Sequence, residues 1–411
     1  GWKLGLLAHP PFDCGESHVS SRTMTIQSQP SAFPIDIKAL QTPCLVLEAT
    51  KFRHNLANMR TRLEQLGVGF RPHLKTAKSI DVARIAMPTM EGPAMVSTLR
   101  EAEYFAEGGV RDITYGVGIA PDKLPRVTAL RARGVALSII LDSLEQAQAV
   151  AAHVAESGDR LPVLIEVDAD GHRSGVASND ADMLVTIGRI LVDSGAELRG
   201  VLLHAGDSYA LDDPAALATA AESERQAAVA AATILRRAGL PSPVVSVGST
   251  PTARFARDLV GVTEMRAGVF MFGDLYQAGV GSVRRDDIAV SVLASVIGHQ
   301  RAKGWIIVDA GWMAMSRDRS TARQAVDQGY GVVCDLAGRP YEDLIMVDTN
   351  QEHGIVALRP GSAAMLPDLP VGGRVRILPN HACATGAQHD RYHVLGEAGM
   401  IEAEWLRISG W

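Results

Sequence analysis

Short apolar runs alternate with Ala-, Glu- and Arg-rich segments from about residue 50 to residue 285. The apolar runs have the length of buried strands, whereas the segments between them repeat apolar residues at helical spacing, as at Phe52, Leu56 and Met59. Eight runs are strand-like: 68–71, 94–98, 112–116, 136–141, 163–167, 198–203, 244–247 and 264–267. Eight βα units suit a (β/α)8 TIM-like barrel, although a doubly wound open sheet would show the same alternation. The count favours the barrel, over residues 50–285.

The pattern changes after residue 286. Six strand-like runs, at 288–297, 305–308, 344–347, 354–358, 374–378 and 392–395, are then separated by turns rich in Gly, Pro and Asp, with little helix between them. This predicts a C-terminal domain of mostly β structure over residues 286–411. Alternating polar and apolar residues at Thr42–Glu48 predict a strand, within residues 36–49, that joins this domain. Residues 1–35 are expected to form a flexible, polar extension.

Charge and composition narrow the possible partners. The chain has 411 residues and a formal net charge of -6, and no run of Lys and Arg suits nucleic acid or an anionic membrane. No segment approaches the roughly 18 uninterrupted apolar residues of a membrane-spanning helix. The scattered cysteines are typical of reduced thiols in a cytoplasmic protein. They are Cys14, Cys44, Cys334 and Cys383.

Reactive residue types cluster just after the predicted strands. Barrel enzymes use the loops at the C-terminal ends of their strands, so the chemistry is expected at that face. Lys75 follows the first strand, and the small-residue turn Gly248-Ser249-Thr250 follows the seventh. Other polar residues follow the fifth and sixth strands: Asp168, Asp170, His172, Arg173, His204, Asp207, Ser208 and Tyr209.

The turn after the seventh strand is predicted to bind a phosphate. It opens a helix, where free backbone N–H groups and hydroxyls can hold a dianion. Many barrels keep a phosphate site at this position. Ser and Thr also occur as plain N-caps without a ligand. The Lys after the first strand favours the phosphate interpretation.

Lys75 is the candidate nucleophile toward a carbonyl cofactor. Most lysines after a strand are simply solvated. Here alternation along the extended stretch from Arg71 turns His73 and Lys75 to one side, with cationic neighbours that would lower the pKa of the amine. Lys78 is the rival, and is expected to lie in the following helix.

Several ordered motifs then resemble one family. Arg71-Pro72-His73-Leu74-Lys75-Thr76 is similar to the cofactor-lysine motif of the D-threonine aldolase/D-serine dehydratase family. The similarity extends from about Thr42 to the C-terminus. It includes Glu166–Asp168, Arg173–Val176, His204–Tyr209, Gly248–Thr250, Thr263–Gly268 and Pro379–Cys383.

The resemblance implies a fold and a cofactor. The family has the alanine-racemase-type, fold type III architecture, with an N-terminal barrel that carries pyridoxal phosphate and a C-terminal β domain. Lys75 is then expected to hold the cofactor as a Schiff base, and Gly248, Ser249 and Thr250 to hold its phosphate. The remaining cofactor contacts are expected from His73, Arg173, His204, Tyr209 and, as a weaker candidate, Tyr276.

His381 and Cys383 form the predicted metal motif. They are two residues apart, so in an extended segment both side chains face one way. Imidazole and thiolate suit Zn²⁺, and Mn²⁺ less well. A buried Cys beside an unrelated His is the plain alternative, and the resemblance favours the metal. Other possible ligands, which are expected at the surface, are His389, Asp390 and His393.

The resemblance leaves several reactions open. The favoured one is cleavage of D-3-hydroxy amino acids such as D-threonine to glycine and an aldehyde, because the stretch from Trp312 to Arg319 resembles the aldolase branch. The alternative is dehydration of D-serine to pyruvate and ammonia, since Cys383 is usual among the dehydratases where some aldolases carry an acid. A racemase or a non-catalytic carrier of the cofactor is less favoured, because neither needs a metal.

Two further expectations follow from the family. The base for the β-hydroxyl is expected to be a histidine, with His204, His172 and His353 as candidates. The fold is expected to complete its active site across a homodimer.

Overall fold

The computed structural model describes residues 33–411, so residues 1–32 of the predicted extension lie outside the described part of the chain. Two strands precede the barrel, β1 (Ile35–Asp36) and β2 (Cys44–Glu48). The buried, apolar β2 leads directly into the first helix, α1 (Ala49–Gln65).

Eight parallel strands form the first layer of the fold. They are β3 (Gly69–Pro72), β4 (Ala94–Val96), β5 (Asp112–Gly118), β6 (Ala136–Leu141), β7 (Pro162–Asp168), β9 (Glu197–Leu203), β10 (Val244–Val247) and β11 (Glu264–Ala267), and the short β8 (Val176–Ala177) pairs with β7. Their order is β3-β11-β10-β9-β7-β6-β5-β4. A parallel bridge between His73 and Met95 brings β3 beside β4. The sheet therefore nearly closes on itself, which confirms the barrel and excludes the open sheet.

Helices surround these strands because each presents one apolar stripe. In α1 the buried residues include Phe52, Leu56 and Leu63, at the spacing that the sequence predicted. The other helices of this part of the chain are α2 (Ile80–Ala86), α3 (Leu99–Glu107), α4 (Leu124–Ala132), α5 (Leu144–Ser157), α6 (Ala181–Asp193), α7 (Pro214–Arg237), α8 (Thr250–Phe255) and α9 (Leu275–Val280). Local signals set several ends: a capping box from Thr98 begins α3, and Gly158 ends α5 in the left-handed conformation.

A second sheet, mostly antiparallel, forms the C-terminal domain. Its strands are β12 (Val290–Gln300), β13 (Trp305–Val308), β14 (Val332–Cys334), β15 (Pro340–Thr349), β16 (Gly354–Leu358), β17 (Arg374–Leu378), β18 (Arg391–Leu395) and β19 (Met400–Leu406). The N-terminal β2 lies in this sheet, antiparallel to β12 and parallel to β18. The mostly-β domain joined by an N-terminal strand is therefore present. The strands β14 and β19 were not predicted.

Two short helices interrupt the second sheet, α10 (Trp312–Met315) and α11 (Ala382–Gly386). Both lie in connections between strands, and α11 carries Cys383 toward the barrel. Within residues 33–411, no helix is long and apolar enough to cross a membrane. The three cysteines of this range are free thiols, and Cys14 lies outside it.

Candidate active site

One cavity of about 640 Å³ lies where the C-terminal ends of the barrel strands face the second domain. Its walls combine residues from both parts of the chain. The sequence-predicted residues that line it are His73, Lys75, His172, Arg173, His204, Tyr209, Gly248, Ser249, Thr250, Tyr276, His381 and Cys383. Residues separated by up to about 300 positions in the sequence are thus brought to one site.

Lys75 lies in the turn that follows β3. Its neighbours Leu74 and Thr76 are buried, whereas the Lys75 side chain is open to the cavity. The backbone is not extended here, because the N–H of Lys78 donates to the carbonyl of Leu74 at 2.9 Å. His73 nevertheless faces the same cavity, and its Nδ1 accepts from the Lys75 N–H at 3.4 Å.

The charges around Lys75 differ from the expectation. Burial, with Lys75 and Arg266 nearby, holds the pKa of His73 well below its usual value, so His73 adds no positive charge. Arg266 is buried beneath the cavity and is the remaining cation. Lys78 precedes α2 rather than lying in it, and its ammonium pairs with Glu101 at 3.5 Å. Lys75 is therefore the better placed of the two lysines.

His204 lies after β9, against the ring of Tyr209 at a centroid distance of 6.1 Å. Its Nδ1 is 3.0 Å from the carbonyl oxygen of Gly248, to which it donates as the neutral tautomer. Burial lowers the pKa of His204 to about 3. A base with so low a pKa holds a proton poorly near neutral pH. The geometry thus supports His204 as a neutral contact rather than as a base.

The turn after β10 has the features of a phosphate site. Gly248 adopts φ +138°, and a Cβ there would overlap the carbonyl of Arg266, so only glycine fits. Ser249 caps α8, accepting the N–H of Thr252 at 3.2 Å. The hydroxyl of Thr250 is buried without a hydrogen-bond partner in the described residues. A buried hydroxyl left in this way suits an anionic ligand that would accept from it.

The remaining predicted contacts lie toward the cavity mouth. Arg173 is largely exposed, and its guanidinium is 4.0 Å from the carboxylate of Glu166. Tyr276 donates its hydroxyl to the carbonyl of Tyr209 at 2.6 Å. His172 pairs with Asp207 at 2.9 Å. These side chains have room to contact a ligand.

His381 and Cys383 face the cavity from the second domain. The segment is not extended as predicted, because His381 caps α11 and Cys383 lies inside that helix. The two side chains still face the same cavity, and each shifts the pKa of the other. They converge because the backbone of His381 is extended and Cys383 lies in the first helical turn that follows it.

Three segments hold this pair in place. Asp318 contacts Nδ1 of His381 through Oδ2 at 3.2 Å. The hydroxyl of Thr76 lies 2.9 Å from the Cys383 sulfur. Between them, the Ala382 N–H donates to Asp274 at 2.9 Å. Because Thr76 directly follows Lys75, this contact links the lysine to the His–Cys pair.

The electrostatics of the pair hold a proton on His381, whose place a metal cation would take. Burial would raise the pKa of Cys383, but the hydrogen bond and charge of His381 lower it. Burial would likewise lower the pKa of His381, whereas Asp318 and Cys383 raise it to about 11. Within residues 33–411, no group of three or more His, Cys, Asp or Glu residues could hold a metal. The donors here are two, and they leave positions for other ligands, as catalytic metal sites do.

Three other predicted histidines lie away from the cavity wall. His353 is exposed in the turn between β15 and β16, so this chain does not bring it to the cavity as a base. His389 contacts the carbonyl of Ala314 at 2.9 Å. His393 is 3.3 Å from Glu404, and the neighbouring Asp390 pairs with Arg391. His389 and His393 are not fully at the surface, because both are half-buried.

Comparison with known proteins decides the family. The model described as "Alanine racemase, N-terminal domain" matches residues 47–276, and the "Putative serine dehydratase domain" model matches residues 289–395. A D-threo-3-hydroxyaspartate dehydratase of Delftia sp. is 52% identical, over 90% of this chain and 98% of that enzyme. The chain belongs to the D-threonine aldolase/D-serine dehydratase family. Its members share the fold type III architecture of pyridoxal-phosphate-dependent enzymes.

Two further similarities bear on the reaction. A D-threonine aldolase of Arthrobacter sp. is 28% identical, over 92% of this chain and 94% of that enzyme. Solved variants of a D-threo-3-hydroxyaspartate dehydratase are 51% identical and superpose with a TM-score of 0.89, covering 92% of this chain and 97–100% of theirs. One variant replaces a histidine by alanine, and the other replaces a cysteine two positions later and is in the metal-free form.

Several residues of the family site were not predicted. Asp274, Asp318, Glu224 and Arg266 support the cavity or line it, and each is brought there by tertiary packing. Asp318 lies in the stretch that the sequence singled out, but for its resemblance rather than for its carboxylate. Glu224 lies on α7 among other charged residues and carries no local signal.

Proposed function

We propose that this chain is a pyridoxal-phosphate- and divalent-metal-dependent lyase that dehydrates D-threo-3-hydroxyaspartate. One observation carries the proposal. Lys75 and the His381–Cys383 pair open into the same cavity, so a base for Cα–H and a site for a metal beside the leaving group lie together.

The residues around Lys75 fit pyridoxal phosphate. Lys75 would hold it through the aldehyde carbon, and Thr250 has a free buried hydroxyl for the phosphate. Neutral His204 would lie against it without competing for protons. When bound, the cofactor stabilises negative charge at the substrate Cα, and the protein selects which bond breaks.

Elimination needs one proton acceptor at Cα. Of the predicted bases, His204 has a pKa that burial lowers to about 3, His353 lies outside the cavity and His172 pairs with Asp207. We therefore assign the α-proton to the amine of Lys75. The Cβ–O bond then breaks and the hydroxide leaves as water after protonation. The unsaturated amine that results is hydrolysed to oxaloacetate and ammonia.

His381 and Cys383 would hold the metal. Such an ion would act as a Lewis acid toward the β-hydroxyl and stabilise the charge on the leaving oxygen. The donor set supports this, since the pKa of Cys383 is lowered toward the thiolate. Further support comes from the solved dehydratase variants, whose altered residues are also a histidine and a cysteine two positions apart. Imidazole and thiolate favour Zn²⁺ over Mn²⁺.

The sequence favoured an aldolase, and the relatives named aldolase keep it as the second candidate. Retro-aldol cleavage needs a base at the β-hydroxyl rather than at Cα. His172 is the predicted candidate for this role that lines the cavity, and it is half-exposed beside Asp207. This arrangement supports elimination better than cleavage.

Product analysis separates the reactions. The metal-loaded enzyme is incubated with D-threo-3-hydroxyaspartate, D-serine and D-threonine. Oxaloacetate and ammonia from the first substrate, at a rate well above pyruvate from D-serine, are expected. Glycine and glyoxylate from the same substrate would instead make the chain an aldolase, and racemised substrate alone would make it a racemase.

We also propose that the protein is a homodimer. The segments on both sides of Asp318 leave the apolar side chains of Met313 and Val326 in solvent, 41% and 52% exposed. A second copy would cover such surface. Light scattering at micromolar concentration is expected to give twice the chain mass, and a monomer would contradict the proposal.

A further inference from the structure

A carboxylate is buried beneath the cavity, outside the residues that line it. Glu224, on α7, is 1% exposed. Its Oε1 accepts the backbone N–H of Ala205 at 3.1 Å and that of Gly248 at 3.2 Å. Ala205 lies after β9 and Gly248 after β10, so one side chain of the outer helix joins two neighbouring loops of the site.

The N–H and the carbonyl of Gly248 are each hydrogen-bonded to a side chain. The N–H of Gly248 donates to Glu224, while its carbonyl accepts from Nδ1 of His204 at 3.0 Å. The hydroxyl of Thr252 lies 3.0 Å from the Ser249 hydroxyl and accepts the Ser249 N–H at 3.0 Å. These contacts fix the base of the turn, and the buried Thr250 hydroxyl has no hydrogen-bond partner in the described residues.

We infer that Glu224 is a positioning residue for the phosphate of the cofactor. It fixes the turn Gly248–Thr250 relative to His204 and keeps the Gly248 N–H away from the ligand. The inference rests on the proposed binding of pyridoxal phosphate. Burial raises the pKa of Glu224, and the hydrogen bonds that its carboxylate accepts from the two N–H groups oppose that shift.

The effect of Glu224 is specific to the phosphate end of the cofactor. Loss of the carboxylate frees two N–H groups and loosens the turn after β10, whereas Lys75 follows β3, which β11 separates from β10. Affinity for pyridoxal phosphate should therefore fall, and affinity for pyridoxal, which lacks the phosphate, should not. A general role in folding would weaken both alike.

The test titrates the cofactor-free full chain with pyridoxal phosphate and with pyridoxal, following absorbance. E224A is expected to weaken pyridoxal phosphate binding about 10-fold or more and to leave pyridoxal within about 2-fold. E224Q retains an acceptor for both N–H groups and should fall between E224A and wild type. E222Q is the matched control, since Glu222 is on the same helix, is only partly buried, and pairs with Arg225.

The outcomes distinguish the inference from the proposed function. Equal losses for both ligands, or no loss in either Glu224 variant, would overturn the role of Glu224. If E224A does not fold, E224Q alone decides, because a phosphate-selective loss of about 3-fold is expected for it. Wild-type protein that binds neither ligand would instead refute the cofactor proposal.

Discussion

The two walls of the cavity shift the pKa values of their histidines in opposite directions. On the barrel wall, burial lowers the pKa of His204 to about 3, while on the wall from the second domain the pKa of His381 is raised to about 11. Both side chains are partly buried. Their partners differ: His204 faces a neutral carbonyl, whereas His381 faces Asp318 and Cys383. The charge of the hydrogen-bond partner thus decides the protonation state.

The difference matches two tasks. The barrel wall combines glycine and hydroxyl groups with the cations Lys75 and Arg266, a set suited to an anionic cofactor. In the second wall His381 holds a proton beside Asp318 and Cys383, and a metal cation would take the place of that proton. Thr76 joins the two, since it follows Lys75 and contacts Cys383. A substitution in one wall is therefore expected to impair the binding function of that wall and to leave that of the other wall unchanged.

The largest effect should come from the barrel wall. Lys75→Ala removes the amine that we propose to hold the cofactor and to accept the α-proton, so the Schiff-base absorbance near the visible edge should vanish and activity should fall on the order of 10³-fold or more. Lys78→Ala is the control and should keep the absorbance, because Lys78 pairs with Glu101. An intact band in the Lys75 variant would contradict the assignment.

The corresponding change on the second wall is His381→Ala. It removes one of two metal donors, and we expect activity to fall about 100-fold or more while the cofactor absorbance is unchanged. Elemental analysis measures the loss of metal, and the absorbance spectrum shows whether the cofactor is retained. Loss of the cofactor band together with the metal would show that the walls do not act separately.

A smaller effect is expected from Asp318→Asn. Asp318 orients His381 through Nδ1, and loss of such a partner lowers metal affinity about 10- to 100-fold. Calorimetric titration of the holoenzyme with Zn²⁺ measures it. Asp327→Asn is a suitable control, since Asp327 pairs with Arg319 in the same region. Equal Zn²⁺ affinities in the Asp318 and Asp327 variants would show that Asp318 does not support the metal site.

The smallest effect concerns stability on the barrel wall. His204 has a lowered pKa when folded and an ordinary value of 6.5 when unfolded, so its contribution is complete above pH 6.5 and declines as the pH falls toward 3. Between pH 6.5 and 5.5 the wild type should lose about 1 kcal/mol more free energy of unfolding than His204→Asn. Denaturant unfolding at the two pH values measures this, and parallel losses would count against a neutral His204.

Local pattern was enough for much of the architecture. All eight barrel strands and the helix 49–65 follow from period and turn residues, because these are short-range properties of the chain. The strand β19 was missed since its burial depends on pairing with β18 and β1. The barrel rather than an open sheet followed only from the bridge between His73 and Met95, a tertiary contact.

The site was predictable where motif and loop position coincide, as at Lys75 and Thr250. Residues that act through another residue were not. Glu224 lies on α7 and Asp274 at the start of α9. Only the packing of these helices shows from which backbone N–H groups the two carboxylates accept hydrogen bonds. His353 is the opposite case: its residue type suggested a base, but it does not line the cavity.

The separate roles of the two walls can be measured on one sample. Holoenzyme with and without EDTA treatment is followed for deuterium exchange at Cα of D-aspartate, which has no β-hydroxyl, and for oxaloacetate formation from D-threo-3-hydroxyaspartate. We predict that exchange is unchanged by metal removal while oxaloacetate formation falls about 100-fold or more. Loss of both activities together, or oxaloacetate formation that does not need the metal, would contradict the account.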